Sequence, residues 1–308
     1  MGILAAIKNT ILDPIETIRI ITGKDLAKLL PDKANLKYRY KRHFGEKLNL
    51  KQPKKFTEKI QWLKLYNRDP LNTILVDKYA VRGYISEKIG KEFLVPLLGR
   101  WERFEDIDFS SLPDKFVLKC NHDSGSVVVC KDKSKLDYQE LSIWFKKHLK
   151  RNFYRGGRQW AYKNVKPCII CEEYKEDESG DQLRDYKVYC FNGIPKYIEV
   201  HYDRFTSQHN GNIYDTKWQR LQLRIGNARN DFDVTIKKPI RLNEIILITE
   251  KLSRGLPFLR VDYYISSEGL YVGELTLSPT SGFGKFNPPE YDRVFGELLQ
   301  LPKKQRFS

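Results

Sequence analysis

Residues 185–200, DYKVYCFNGIPKYIEV, decide the fold class of this chain. Two runs rich in aromatic and aliphatic residues flank Asn192 and Gly193, and an Asn-Gly pair between such runs is the strongest short signal of a two-residue β-hairpin. A hairpin joins antiparallel strands, whereas parallel strands need a long crossover. The stretch therefore predicts a sheet built from antiparallel pairs.

The same character extends over most of the chain from about residue 114. Further strand-like runs are KFVLKC (115–120), SVVVC (126–130), CIICEEY (168–174) and FLRVDYYISSEGLYVGELTL (258–277). Helical patterns precede and separate them, in FTEKIQWLKLY (56–66), with Thr57 as the expected N-cap, and in DKYAVRGYISEKIG (77–90), YQELSIWFKKHLKR (138–151) and RLNEIILITEKLSRG (241–255). Strands that come as hairpins between helices predict the α+β class.

The composition is that of a globular protein without a membrane-spanning segment. The 308 residues are 41% hydrophobic and 13% aromatic, which is too apolar for disorder, and no long uncharged apolar run occurs. Five cysteines without an export signal fit a reducing compartment, so we expect a cytoplasmic protein. Cys168 and Cys171 form a C-x-x-C, but residues three apart on a strand point to opposite faces, which argues against a metal or redox site.

The net charge of +16 is concentrated near the N-terminus. Residues 1–66 contain 15 Lys and Arg against 6 Asp and Glu, so this end should attract anions. Nucleic acid, anionic lipid, an acidic polysaccharide and a nucleotide all qualify, because net charge does not identify the partner. Ile3, Ile7 and Ile11 recur at helical spacing, which fits either peripheral contact with the inner membrane surface or an apolar face packed on the protein itself.

Asp262 and Glu274 flank a short turn. A three-residue loop at 267–269, with Gly269 in a left-handed conformation, would place the two acids directly opposite each other, whereas a two-residue loop would put them on opposite faces. Facing carboxylates repel unless a cation lies between them, and Mg²⁺ beside a nucleotide is held by such oxygens together with phosphate and water. The alternative is an exposed hairpin whose acids pair with nearby lysines.

The run FVLKCNHDSGSVVVC (116–130) reads as a strand, a loop of small residues and a second strand. Lys119 projects from an otherwise apolar strand and needs a partner. The loop at 121–126 can turn backbone N–H groups toward a phosphate, because Gly and Ser permit close approach. Neither a Walker A nor a G-x-G-x-x-G motif occurs in the sequence, and a plain turn is the alternative interpretation.

Four motifs follow one another between about Phe56 and Gly282. They are VDKYAVRGYI (76–85), KFVLKCNHDSGSVVV (115–129), CEEYKED (171–177) with DYKVYCFNG (185–193), and FLRVDYY (258–264) with GELTLSPTSG (273–282). Their order resembles the ATP-grasp superfamily, most closely its TupA-like branch, which is named for teichuronopeptide biosynthesis. The resemblance implies an α+β fold in which two lobes with antiparallel sheets clamp ATP. It divides the chain into a basic helical extension (1–55), an N-terminal α/β region (56–113), a small lobe (114–172) and a large lobe with the metal site (173–308).

The resemblance also implies how the nucleotide is bound. Two lysines would reach its phosphates, the loop at 121–126 would cover them, and the segment 172–174 would form the hinge that meets adenine and ribose. The implied nucleotide-binding residues are Lys78, Lys119, Asn121, His122, Ser124, Gly125, Ser126, Glu172, Glu173 and Tyr174.

The catalytic and metal residues follow from the same resemblance. Lys187 would lie beside the phosphates, and Arg260 would steady the transferring phosphoryl group. Asp262 and Glu274 would bind Mg²⁺. Thr276 stands where many ATP-grasp ligases carry Asn, and a hydroxyl is a weak ligand, so a second Mg²⁺ would be held less well or through water.

The implied activity is an ATP-dependent carboxylate–amine ligase that forms an amide through an acyl phosphate. ATP and Mg²⁺ are the expected cofactors, and surface-polysaccharide biosynthesis is the expected context. The family and the positive charge favour a uronic-acid sugar or polysaccharide carboxylate as the acceptor and an amino acid or small amine as its partner. The alternatives are a sugar or polysaccharide kinase, a glycosyltransferase, and a basic module in which residues such as Tyr38 and Trp62 stack on nucleic acid. No recognisable nucleic-acid-binding signature supports the last of these.

Overall fold

The computed structural model describes residues 25–176, 184–202, 210–226 and 234–304. The helices in these ranges are α1 (Asp32–Phe44), α2 (Phe56–Tyr66), α3 (Leu71–Val76), α4 (Val81–Ile89), α5 (Tyr138–Leu149), α6 (Tyr154–Gly157), α7 (Leu242–Ser253) and α8 (Tyr291–Leu298). The strands are β1 (Leu97–Trp101), β2 (Phe116–Cys120), β3 (Val127–Cys130), β4 (Ile169–Glu173), β5 (Asp185–Phe191), β6 (Ile194–Tyr202), β7 (Asn210–Asp215), β8 (Arg220–Leu221), β9 (Arg224–Ile225), β10 (Phe258–Ser266), β11 (Gly269–Thr276) and β12 (Phe286–Asn287).

A four-stranded antiparallel sheet has the strand order β1-β4-β2-β3. Because side chains alternate along a strand, Phe116, Leu118 and Cys120 of β2 are buried on one face, where they form a core with Phe145 of α5. The other face of β2 carries Lys119, which is only partly buried. The edge strand β1 of this sheet begins at Leu97, before the predicted start of the small lobe at residue 114. The lobe boundaries stay predictions.

A six-stranded antiparallel sheet has the order β11-β10-β5-β6-β7-β8. Its apolar face packs against α7, where Ile245 and Leu252 meet Val188 and Val261 in one core. The Asn192–Gly193 hairpin between β5 and β6 is confirmed. With the antiparallel pairing of both sheets and the helices between their strands, the predicted α+β class is confirmed.

The hairpin of β10 and β11 reaches the predicted pairing by a different route. Ser266 pairs with Gly269, so the expected three-residue loop is wrong, and Gly269 has φ 159°, not the left-handed conformation. A β-bulge at Gly273 then shifts the register by one residue and places Asp262 opposite Glu274, as predicted. A Cβ on Gly273 would lie 2.3 Å from Cε2 of Tyr264, so only glycine fits at the bulge without movement of that ring.

Helix α2 has the predicted bounds but a different N-terminal cap. Lys55 occupies the N-cap position, and Glu58 accepts hydrogen bonds from the backbone N–H groups of Lys54 (2.8 Å) and Lys55 (3.1 Å). Thr57, the expected cap, donates its backbone N–H to Asp292 (2.9 Å) just inside the helix. The threonine therefore joins α2 to α8, whose first turn contains Asp292.

A single lysine connects the two large sheets. Lys175 follows β4 and binds Glu173 (2.7 Å) as well as Glu268 (2.6 Å), which lies in the turn between β10 and β11. Burial alone would lower the pKa of Lys175, but its two carboxylate partners raise it above the usual range, so the amine carries its charge.

No helix of the described ranges is long and apolar enough to cross a bilayer. The helical spacing of Ile3, Ile7 and Ile11 falls outside the described residues.

Candidate nucleotide and metal site

The polar face of the six-stranded sheet carries a row of charged residues. Strand pairing aligns Glu274 of β11, Asp262 of β10, Lys187 of β5 and Glu199 of β6 side by side. Directly paired residues point to the same face of a sheet, so their side chains are neighbours. The sequence predicted the first three members of this row.

Asp262 is the anchor of the row. Its carboxylate accepts two hydrogen bonds from Arg260, both of 2.7 Å, and one of 2.8 Å from Lys187, and it is only 3% exposed. Burial by itself would raise the pKa of Asp262, but the cations of Arg260 and Lys187 hold it at about 2. Asp262 is therefore an anion at any physiological pH.

Glu274 differs from Asp262 in its partners. Its side chain is partly exposed and makes no hydrogen bond or ion pair within the described ranges. It lies close enough to Arg260 and Tyr162 to affect the pKa of both. A carboxylate that is free of partners beside a buried one is the donor set that an Mg²⁺ completed by phosphate and water requires. No cluster of three or more His, Cys, Asp or Glu side chains able to bind a metal occurs in the part of the chain that is described.

Thr276 lies at the edge of this arrangement. Its hydroxyl accepts a hydrogen bond of 3.2 Å from Arg260, its partner across the two strands. The hydroxyl thus positions the guanidinium, and its role as a metal ligand stays a prediction.

Lys187 lies between two buried carboxylates. Its amine binds Asp185 on its own strand as well as Asp262, and all three residues are buried. Among the described residues, this face carries the carboxylates of Asp185, Glu199, Asp262 and Glu274 and the cations of Lys187 and Arg260, with His201 beside Glu199. The face is therefore rich in carboxylates.

The sequence analysis did not identify the part of this face on β6. Glu199 accepts a hydrogen bond from Tyr189 (2.7 Å) and lies 3.2 Å from His201 Nε2. Burial by itself would raise the pKa of Glu199, but mainly His201 and Tyr189 hold it at about 2. The two-residue turn alone would pair Lys187 with Ile198. A β-bulge at Lys196 shifts the register by one residue and brings Glu199 across from Lys187, and the turn signal does not reveal this shift.

The four-stranded sheet contributes a second group. Lys119 forms an ion pair of 2.5 Å with Glu172, and Arg82 binds the other oxygen of Glu172 at 3.0 Å. Arg82 therefore links the motif at 76–85 to β4, the strand that leads into the predicted hinge. The sequence analysis did not identify Arg82. On the same face as Lys119, the edge strand β3 leaves Val127 and Val129 41% and 45% exposed. A flat aliphatic surface beside two cations and an acid suits a nucleoside.

The predicted hinge follows directly on this strand. The backbone N–H of Glu173 donates a hydrogen bond to the carbonyl of Pro96 (3.1 Å), and the carboxylate of Glu173 binds Lys175. Tyr174 is partly exposed, with the amines of Lys115 and Lys131 5.8 and 5.9 Å from its ring.

The loop at 121–126 is held from both sides. Lys78 donates to the carbonyl of Asp123, and the hydroxyl of Ser126 contacts Asp123 and Nδ1 of His148 (2.6 Å). At the tip, Ser124 and Gly125 are exposed, and no atom lies within 4 Å of the position of a Cβ on Gly125, whose φ is 92°. The tip therefore has room for phosphate oxygens.

Two predicted residues of this loop lie in its interior. The side chain of Asn121 donates to Asp77 (2.8 Å) and to the carbonyl of Lys166 (3.0 Å), and it accepts from the N–H of Cys168 (2.7 Å). His122 is 2% exposed, and burial lowers its pKa, so the ring is neutral. Nucleotide contacts from the side chains of Asn121 and His122 stay predictions.

The two halves of the C-x-x-C also separate. Cys171 packs in the core between β4 and α5, whereas Cys168, just before β4, faces a cleft beside Arg100.

Comparison with known proteins finds one matching family. A family model described as TupA-like ATPgrasp matches residues 58–300. Among solved structures, the alignment with D-alanine–D-alanine ligase from Helicobacter pylori has 14% identity and a TM-score of 0.44, and covers 82% of this chain and 68% of that chain. The corresponding ligase from Bacillus anthracis, complexed with ATP, has 16% identity, a TM-score of 0.39, and coverage of 66% and 54%. N5-carboxyaminoimidazole synthetase from Staphylococcus aureus has 15% identity, a TM-score of 0.36, and coverage of 66% and 44%.

This chain thus spans about half of the length of the Bacillus anthracis ligase and of the Staphylococcus aureus synthetase. The comparison with curated proteins finds no match. The family model covers more than half of the chain. ATP-grasp ligases use ATP with Mg²⁺. The chain belongs to the TupA-like ATP-grasp family.

Proposed function

We propose that this protein is an ATP-dependent ligase that joins a carboxylate to an amine. The observation that carries the proposal is the pairing of buried Asp262 with Glu274, whose side chain has no hydrogen-bond or ion-pair partner in the described ranges, on a face that also carries Arg260 and Lys187. ATP-grasp enzymes are carboxylate–amine ligases, and this row supplies the charge distribution that their chemistry needs.

The proposed reaction has two steps. A carboxylate oxygen of the acceptor attacks the γ-phosphorus of ATP, the bond to the β-phosphate oxygen breaks, and ADP leaves. The amine then attacks the acyl phosphate carbon, the C–O bond to phosphate breaks, and the amine loses a proton as the amide forms. Mg²⁺ would neutralise phosphate oxygens beside Asp262 and Glu274.

The chain's own residues mainly position and neutralise charge. Arg260 is fixed by three hydrogen bonds to Asp262 and Thr276, so its remaining donors are preorganised for a developing negative charge. Lys187 lies one strand away. Lys119 and the open tip of the loop at 121–126 would bind the nucleotide from the other sheet. No nucleophilic side chain is required for this chemistry.

The acceptor is proposed to be an acidic sugar or polysaccharide, and the amine an amino acid or other small amine. Support for the acceptor comes from the excess of cations in residues 1–66 and from the TupA-like family. The TupA-like family supports surface-polysaccharide biosynthesis in the cytoplasm as the context, and the cations of α1 would meet anionic polymer or lipid.

The test is ADP release from ATP and Mg²⁺ with a uronic acid, measured across a panel of amines for the wild type, Glu274→Gln and the control Glu250→Gln. Glu250 is exposed on α7, outside the charged row. We expect release that requires acid and amine together, abolished in the first variant and unchanged in the second. Turnover indifferent to the acid, or full activity of Glu274→Gln, would contradict the proposal.

A sugar kinase is the second candidate, because the same site could transfer phosphate to a hydroxyl group. ADP release that requires a sugar but ignores the amine, with a phosphate ester as product, would favour it.

A further inference from the structure

A cleft of about 280 Å³ lies apart from the charged row and from Lys119. Its walls come from α3, from residues 77–80, from Arg100 of β1 and from the segment 164–168. Of the predicted nucleotide and metal residues, only Asn121 lines it. The cleft therefore has no role in the function proposed above.

The walls combine exposed apolar surface with a cation that has only an exposed partner. Ile74 and Tyr79 are 42% and 40% exposed, although both are large hydrophobic residues. The guanidinium of Arg100 lies over the Tyr79 ring, 5.1 Å from its centre, in a cation–π contact. The acid nearest to Arg100 within the described ranges is Glu102, at 3.6 Å and itself 74% exposed.

The remaining charges of the cleft do not cancel this cation. Lys166 is exposed on the opposite wall and forms no ion pair within the described ranges. The one acid of the lining is Asp77, whose Oδ1 already accepts from the N–H groups of Tyr79 (2.8 Å) and Ala80 (3.2 Å) and from Asn121. Two cations thus face a floor of aliphatic and aromatic atoms.

We propose that this cleft binds a small regulatory ligand with an anionic group, carboxylate or phosphate, on a compact apolar body. The anion would take the fork of Arg100, since a guanidinium binds either oxyanion through two parallel hydrogen bonds. The apolar body would cover Tyr79 and Ile74.

The cleft is joined to the predicted phosphate loop by short hydrogen bonds. Asn121 links Asp77 to the segment 166–168, and its carbonyl accepts from the backbone N–H of Lys78 (3.0 Å). Lys78 in turn donates to the carbonyl of Asp123 in the loop. A ligand that shifts Asp77 or the segment 166–168 therefore shifts the loop, and occupancy of the cleft changes the affinity for nucleotide. This last step rests on the proposed nucleotide site.

The test uses phenyl phosphate and benzoate as anionic probes and benzyl alcohol as the neutral control, titrated into the full chain by calorimetry. We expect saturable binding of at least one anion, and a loss of at least about five-fold in its affinity in Arg100→Gln. Arg254→Gln, an exposed arginine at the end of α7, serves as the matched control and should bind like the wild type. Tyr79→Ala is the second variant and should also lower the affinity for the anion.

The outcomes separate the cleft from the nucleotide site. Absence of saturable binding by both anions, equal binding of benzyl alcohol, or undiminished binding in Arg100→Gln and Tyr79→Ala would overturn the proposal. With the cleft saturated, the affinity for Mg²⁺·ADP should change at least about two-fold. An unchanged affinity for ADP would overturn the coupling, whereas a protein that binds the probe but no ADP would contradict the proposed function and leave the cleft standing.

Discussion

Glu274→Gln separates metal binding from folding more sharply than any other change in the charged row. The wild-type carboxylate makes no hydrogen bond or ion pair within the described ranges, so the neutral amide removes no direct contact. It does remove the repulsion between Glu274 and the facing Asp262, a term of about 0.2–1 kcal/mol for like charges across a strand pair. The change also removes the attraction between Glu274 and Arg260, so without metal we expect the free energy of unfolding to stay within about 1 kcal/mol of the wild type.

The effect on activity should be far larger. Loss of a metal ligand at the transferring phosphate removes several kcal/mol of transition-state stabilisation, and about 2.7 kcal/mol already corresponds to a 100-fold loss of rate. Urea unfolding with and without Mg²⁺·ADP supplies the second measurement. A ligand at about 100 times its Kd stabilises the wild type by about 2.7 kcal/mol, and the variant should lose most of that gain.

Two results would refute this reasoning. If Glu274→Gln lowers the free energy of unfolding by more than about 1 kcal/mol without metal, the carboxylate stabilises the fold directly. If Mg²⁺·ADP stabilises both proteins equally, Glu274 does not hold the metal. Glu250→Gln should match the wild type in every measurement.

Three further predictions concern stability. Asp262→Asn should lower the free energy of unfolding by about 3–5 kcal/mol in urea titrations at pH 7, because it leaves the buried cations that it binds without their charge partner; a cost below about 1 kcal/mol would contradict this. Gly273→Ala should cost about 1–3 kcal/mol through its overlap with Tyr264, whereas Gly83→Ala, in a helix with open space, should be neutral or stabilising by up to about 1 kcal/mol. The folded pKa values of Asp262 and Glu199 are both about 2, below the ordinary 3.8 and 4.5, so their contributions, about 2 and 3 kcal/mol, are present above about pH 4.5 and lost as the pH falls toward 2. Thermal unfolding between pH 7 and pH 2 measures that loss, and a midpoint constant down to pH 3 would rule it out.

Local patterns predicted α2, α4, α5 and α7 and the strands β2–β6, β10 and β11, but not α3, α8, β1 or β7. The Asn-Gly pair predicted the turn between β5 and β6, because turn chemistry acts within a few residues, whereas the turn between β10 and β11 is one residue shorter than predicted. The bulge at Gly273 was not predicted, since nothing in the sequence distinguishes a glycine required by the ring of Tyr264 from one required by a turn.

Contacts between distant segments were beyond such patterns. Arg82 binds Glu172, 90 residues away, and the amide of Asn121 is occupied by groups near residues 77 and 167. A single sequence shows neither. The predicted N-cap Thr57 failed for the same reason, because its partner Asp292 comes from the other end of the chain.

The joint made by Lys175 has a mechanical consequence. One amine shared by two carboxylates resists sliding of one sheet past the other, because any translation stretches a hydrogen bond of 2.6–2.7 Å. It resists rotation about the amine much less, since the three donors of an ammonium group turn freely. Glu268 is 59% exposed, so added salt weakens its half of the joint first. Lys175 therefore opposes translation of one sheet past the other more than it opposes rotation, and added salt should weaken this opposition.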